Sequence, residues 1–187
     1  TITKKGITSK SLSTLEKTVV SISNRFSSFF TQKLQYAKSL SALPAAKNMD
    51  WPEIKKVLDE INLSSYEEFI LTQVDGTYWK NTVIGNPAQN YLVSKDDSNP
   101  NAELNKLTAR DYYHDLIKDN PNGERRTIVT DPVFSMASGQ SQIICGSSII
   151  NDSNKVCGLI AATVVLYKKE KMYLSQITSF EEDFGKE

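Results

Sequence analysis

Between Ser11 and Leu40, apolar side chains recur in alternating steps of three and four: Leu12, Leu15, Val19, Ile22, Phe26, Phe29, Tyr36 and Leu40. Lys33 alone breaks that seam, and the remaining positions are mostly Ser, Thr, Lys and Gln. The spacing is that of one face of an α-helix with a polar back. Whatever else the chain builds has to accommodate one long rod with a single apolar side. Two uses of that side stand together: the helix lies on a domain core, and part of it pairs with its twin in a dimer.

The elements after the rod change period. Pro44 ends the first segment, and NMDWPEIKKVLDEI (48–61) opens like a capped helix, with Asp50 as N-cap, Pro52 in the first turn and Glu53 at N3. FILTQV (69–74), the Asp75–Gly76 turn signal and TYWKNTV (77–83) read as a β-hairpin. Residues 85–104 are rich in Pro, Asn, Asp and Ser and read as a long loop, a length that is uncommon without a function. Thr108 is then the expected cap of a short helix running to about Lys118, and DNPNGE (119–124) is a turn. Strands are expected over 126–134, 142–149 and 156–167, separated by SGQ and NDSN, and the pattern of 168–184 is helical. The expected class is α+β: a five-stranded antiparallel sheet carrying the long helix and flanking helices. Three parts follow: the long helix (1–45), a ligand-binding module (46–167) and a closing helix (168–187) that leads towards a second module.

Composition removes several function classes. Lys+Arg and Asp+Glu balance at 22 each, which argues against nucleic acid as a partner. VCGLIAATVVLY (156–167) is too short to span a bilayer and reads as a buried strand, and the first residues, TITKKGITSK, do not form a signal peptide. If the chain comes from a membrane protein, its membrane segments flank it. Cys145 and Cys157 lack metal-ligand spacing, and the NDSN turn places Cys145 opposite about Ile160, so free buried thiols are expected rather than a disulfide. His114 is the only histidine, and no nucleophile, zinc or phosphate-loop motif accompanies it, so neither catalysis nor a cofactor is expected. DDSNPNAE (96–103) alternates ligand-type residues like a calcium loop, but Ala102 stands where the sharp turn needs glycine, and a polar loop is expected.

One stretch asks for a ligand. In RDYYHDL (110–116), Arg110 offers a planar fork of donors suited to a carboxylate. Tyr112 and Tyr113 supply hydroxyls and aromatic walls, and on a helix they point about 100° apart, so one can face a ligand while the other packs. The structural alternative is an ion pair from Arg110 to Asp111 or Asp131. Tyr78 and Trp79 face opposite sides of one strand, so Trp79 is either core or pocket wall. Asp131, before Pro132, either accepts from a ligand amine or only shapes a turn.

The ordered set of LTQVDGTYW (71–79), RDYYHDL, TDPVFSMASGQSQIICGSSII (130–150) and KVCGLIAATVVL (155–166) resembles the membrane-distal module of the double Cache family. These are PAS-like extracytoplasmic sensor domains of chemoreceptors, histidine kinases and diguanylate cyclases in bacteria and archaea. The resemblance implies a small-molecule pocket lined by Arg110, Tyr112, Tyr113, Trp79, Asp131 and Thr163, between the sheet and the loop of residues 85–107. It also implies a membrane anchor in flanking segments, and a dimer through the first helix. Asn105 stands where amino-acid-binding members carry a tyrosine, and Thr163 where they carry an aspartate for the ligand's ammonium group. By resemblance, a carboxylate or other polar metabolite is implied more strongly than an amino acid. The alternative reading is a ligand-free dimerisation or partner-binding module of the same fold.

Overall fold

The structure is a computed structural model, and it describes residues 9–61, 67–80, 89–90, 107–135, 140–168 and 171–172. The first helix, α1 (Ser9–Ser41), has 33 residues and is about 50 Å long. Pro44 does more than end it. With φ preset for the first helical turn, it opens a one-turn helix, α2 (Pro44–Lys47). In α3 (Trp51–Glu60) the expected cap is present, the Asp50 carboxylate accepting from the Glu53 backbone N–H at 3.3 Å.

The hairpin is formed by β1 (Glu67–Gln73) and β2 (Thr77–Lys80). Gly76 sits at φ +88°, and the Asp75 carboxylate accepts from the Thr77 N–H at 2.8 Å. Two residues inside the expected long loop, β3 (Gln89–Asn90), pair with Thr77 and Tyr78 instead. The rest of that loop, with Asn105 and the calcium-like stretch, lies outside the described residues.

Thr108 does not cap a helix. It belongs to a 3₁₀ turn, Leu107–Ala109, and its methyl lies 2.6 Å from where a Cβ on Gly76 would sit. Arg110, extended at φ −86° and ψ 138°, is the N-cap of α4 (Asp111–Tyr113). The chain then widens into a π-helical turn, His114–Lys118, closed by the Asp119 N–H donating to the His114 carbonyl at 2.8 Å.

The expected strand over 126–134 is two strands, β4 (Thr127–Val129) and β5 (Val133–Ser135), both paired with β6 (Gln140–Ile150). Pro132 has no N–H to give the ladder. Thr130 holds the break, its N–H donating to the Ile144 carbonyl and its hydroxyl accepting from the Ile144 N–H, both at 3.0 Å. Next comes β7 (Val156–Lys168), and Lys171–Met172 (β8) pairs back onto its end. A helix therefore does not begin at Lys168, because Tyr167 and Lys168 are still held by ladder bonds; 173–187 lies outside the described residues.

Every pairing is antiparallel, and the sheet order is β3-β2-β1-β7-β6-β4, with β5 also on β6 and β8 on β7. The five strands expected from sequence form its body. β1 and β7 lie at its centre and alternate between two cores. Phe69, Leu71, Ile160, Ala162, Cys145 and Ile149 face α1 and α3. Ile70, Leu159, Ala161 and Ile144 face the other way, under Tyr112, Tyr113, Leu116 and Ile117.

Only the second half of α1 joins the first core. Ala37, Leu40 and Ser41 are buried, and Phe30 and Leu34 pack on the cluster, whereas Leu12, Leu15, Val19 and Val20 are 48–57% exposed. Lys33, the break in the stripe, is buried, with its ammonium 5.0 Å from the Phe29 ring centre and 5.4 Å from that of Tyr36. The rings give that cation a favourable face where water is excluded. At the end of α1 the Ser41 and Ser147 hydroxyls are 3.0 Å apart, tying helix to sheet.

Cys145 lies opposite Ala162, two residues from the expected partner, and both cysteines are free thiols. The Cys157 thiol donates to the Ile149 carbonyl at 3.5 Å.

Candidate functional site

The face of the sheet opposite α1 carries Arg110. The 3₁₀ turn and α4 are laid on this face by three contacts: Thr108 against Gly76, the Tyr113 hydroxyl donating to the Val74 carbonyl, and Leu116 over Gly146. At Gly146 a Cβ would come 2.9 Å from Leu116 Cδ1, so glycine lets the helix settle close. Arg110 is half-buried there, and among the described residues its guanidinium makes no ion pair. The alternative of a structural pair with Asp111 or Asp131 is not what the structure contains; both aspartates are exposed.

Tyr112 and Tyr113 are both buried, at 7% and 4% exposure. They differ in use. Tyr113 spends its hydroxyl on the backbone of the turn after β1, while the Tyr112 hydroxyl has no hydrogen-bond partner among the described residues. Burial pushes the Tyr112 phenol up to about 12, an effect that the nearby Arg110 charge opposes. The guanidinium is thus close enough to that phenol for its charge to be felt there. Burial also raises the Tyr113 phenol, helped by the Asp75 charge. His114, four residues on from Arg110, is half-buried with Nδ1 4.0 Å from the Asp119 carboxylate.

Thr163 is on the same face, in register with Ile144 on one side and Glu68 on the other. It is buried, and its hydroxyl donates to the Glu68 carbonyl at 3.3 Å. Asp131 is at the exposed break between β4 and β5. Trp79 is on the other side. It pairs with Leu71 and packs against the α1-facing core, while Tyr78 takes the Arg110 face. The structure thus brings Arg110, Tyr112, Tyr113 and Thr163 to one face and sends Trp79 to the opposite one. Alternation made one of the two aromatics core; only the tertiary fold could say which.

Sequence reasoning missed Glu68 and Lys80 on this face. Their ion pair is 2.8 Å long, and the two side chains are only 26% and 20% exposed. The signal was present in the alternation, since both residues share parity with Ile70 and Tyr78 across the hairpin. An open groove of about 1200 Å3 runs along the middle of α1, past Val20, Asn24, Arg25 and Phe29, and none of the Arg110-face residues lines it.

Burial of ionisable groups has a measurable consequence. The Cys145 thiol is pushed up by burial to about 12, against the opposing charge of Lys33, and the Tyr112 phenol likewise to about 12. Both groups stay protonated in the folded state while the unfolded chain releases protons from about pH 9 and 10. Stability is therefore full below pH 9 and falls above it, by about 1.4 kcal/mol per pH unit for each group engaged. Urea titrations from pH 7 to 11 should show this decline, and Cys145→Ala should make it shallower above pH 9, where Cys157, its thiol also raised by burial, still contributes. A flat profile to pH 11 would mean that neither group is desolvated.

No protein-family profile and no curated protein sequence matches the chain. Solved structures do. The ligand-binding domain of the Pseudomonas fluorescens chemoreceptor CtaA in complex with L-alanine matches 82% of this chain and 59% of its own, at 12% identity and TM-score 0.56. That of a Campylobacter jejuni chemoreceptor in complex with 4-methylisoleucine matches 87% and 62%, at 13% identity and TM-score 0.57. That of the Pseudomonas aeruginosa amino acid chemoreceptor PctC in complex with GABA matches 92% and 67%, at 16% identity and TM-score 0.54. The chain spans about three-fifths of the length of the first two. Among the described residues no helix is long and apolar enough to cross a membrane. The α+β fold expected from sequence, a long helix on an antiparallel sheet, is the fold of the ligand-binding domains of bacterial chemoreceptors.

Proposed function

We propose that the chain is the extracytoplasmic ligand-sensing module of a transmembrane signalling receptor, and that it binds a small carboxylate-bearing metabolite on the Arg110 face. The observation that carries this reading is the Arg110 guanidinium. It is half-buried near the buried Tyr112, and among the described residues the guanidinium has no ion-pair partner and the Tyr112 hydroxyl no hydrogen-bond partner. A buried-side guanidinium without a carboxylate is costly unless a ligand supplies one. Tyr112 and Thr163 complete the polar lining, and Tyr113 holds the helix on the sheet. Asp131 contributes at the rim, and Trp79 supports the sheet from behind.

A metabolite that binds only the folded chain must raise its melting temperature. A thermal-shift screen of carboxylates and amino acids should yield such a ligand, and Arg110→Ala should abolish its shift. Arg110→Lys should weaken binding nearly as much, because a point charge cannot reproduce the bidentate fork. Full affinity in the lysine variant, or no ligand in the screen, would count against the reading.

One observation favours a second reading alongside the first. Leu12, Leu15, Val19 and Val20 leave an apolar strip on the first half of α1 open to solvent, which suits a homodimer through that helix. Cysteines placed along residues 12–29 of the full receptor should cross-link between subunits. No cross-link at any position, with or without ligand, would leave α1 as a core element only.

A further inference from the structure

We infer that Arg126 is a positioning residue for Arg110: it holds the widened turn that aims the Arg110 helix at the sheet. That role goes beyond the sensing function proposed above and is testable without a ligand. In an α-helix the Asp119 N–H would donate to the Asp115 carbonyl. Here it donates to the His114 carbonyl at 2.8 Å, one residue further back, and the Asp115 carbonyl gives up that partner. Arg126 takes its place. A single guanidinium nitrogen, Nη1, donates to the Asp115 carbonyl at 3.3 Å and to the Asp119 carbonyl at 2.9 Å. The second bond alone would be an ordinary cap at a helix C-terminus. The first is not, because only the widened turn sets that carbonyl free.

The geometry of the turn is imposed from outside it. The Asn120 backbone N–H goes to the Ile117 carbonyl, and its side-chain amide reaches the Leu116 carbonyl at 3.5 Å and the Glu124 carbonyl at 2.6 Å. Asn120 is 2% exposed, and its Oδ1 has no hydrogen-bond partner among the described residues. A buried acceptor left unpaired is a cost, so this turn is not one that the segment would adopt alone. Arg126 is fixed where it can impose it. Its backbone N–H donates to Ser148 Oγ at 2.7 Å, and its carbonyl accepts from the Ser148 N–H at 2.9 Å. Ser148 is buried on β6, two residues from Gly146, on which Leu116 rests. One strand thus carries both the floor under the turn and the post that keeps it open. An α-helical turn over the same residues would change the phase between Leu116 and Arg110 by one residue, about 100°. Leu116 and Ile117 are buried and would stay; Arg110, half-buried at the N-cap, would turn away from the sheet.

The test uses the full chain and two readouts. Phenylglyoxal labels guanidinium groups, and peptide mass mapping reads the labelling of Arg110 against that of Arg25, exposed on α1, as an internal reference. The NMR signals of His114, the only histidine, report on the turn itself, since its ring stands edge-on to that of Tyr113 with centres 6.3 Å apart. Arg126→Met should speed Arg110 labelling several-fold relative to Arg25 and shift the His114 ring protons. Arg126→Gln, which keeps one donor group, should do both to a smaller extent, and it decides the matter if the methionine variant fails to fold. Either readout unchanged in a folded variant would overturn the inference and leave Arg126 a helix cap, whatever the fall in melting temperature. None of these outcomes bears on the carboxylate reading, which the metabolite screen and Arg110→Ala test on their own.

Discussion

Gly158→Ala should lower stability by roughly 3 kcal/mol, the upper end of what overpacking costs, and the melting temperature by about ten degrees. A Cβ at this position of β7 would sit 2.1 Å from the Thr72 carbonyl oxygen and 2.3 Å from Met49 Cε. The methionine can swing away. The carbonyl cannot, because it belongs to β1, which is held to β7 in register from Glu67 to Gln73. Gly146→Ala makes a useful control, since its Cβ would meet the tip of Leu116 at 2.9 Å, and a leucine can shift its rotamer. Thermal melts of both variants should show the larger fall for Gly158. A Gly158 variant that melts like the wild type would mean that β1 and β7 are not so closely apposed.

Phe69→Ala should cost about 3 to 5 kcal/mol. Phe69 is fully buried, pointing from the central strand into the core that joins the sheet to α1 and α3. Its removal leaves a cavity walled by regular elements that cannot collapse into it. Leu15→Ala should stay within about half a kilocalorie, because that side chain is 56% exposed. Urea unfolding midpoints of the two variants measure the contrast directly. Equal losses would show that the first half of α1 is covered in solution.

The contrast marks where sequence patterns stop being informative. The stripe from Leu12 to Leu40 specified a helix, and α1 spans it. It did not specify burial, because amphipathicity says that a face is apolar and not what covers it. Even the packed face is rotated: Phe30, Leu34 and Ala37 meet the core rather than the line through Phe29 and Tyr36 alone. A seam of three-and-four steps drifts around a helix that turns every 3.6 residues. The Asp75–Gly76 hairpin and the β6–β7 pair were legible because turn chemistry and alternation agree there. The break at Pro132 was foreseeable from its missing N–H, but the Thr130 hydroxyl that bridges it depends on a partner strand. At the site, Arg110 and the tyrosine pair were legible as chemistry. Glu68 and Lys80 were not, since each is an ordinary surface residue until the hairpin sets them diagonally.

The joint between Ser41 and Ser147 has a mechanical meaning. Each hydroxyl has a second partner of its own, the Lys38 carbonyl for Ser41 and the Ser148 carbonyl for Ser147. Parting the two serines strands neither proton in the core. The loss is that of one ordinary hydrogen bond, about 1 kcal/mol net, rather than the larger cost of an orphaned buried donor. The end of α1 is thus joined to the sheet by a polar contact that can open without stranding either hydroxyl, and what still holds the helix when it opens is the apolar packing of Ala37 and Leu40.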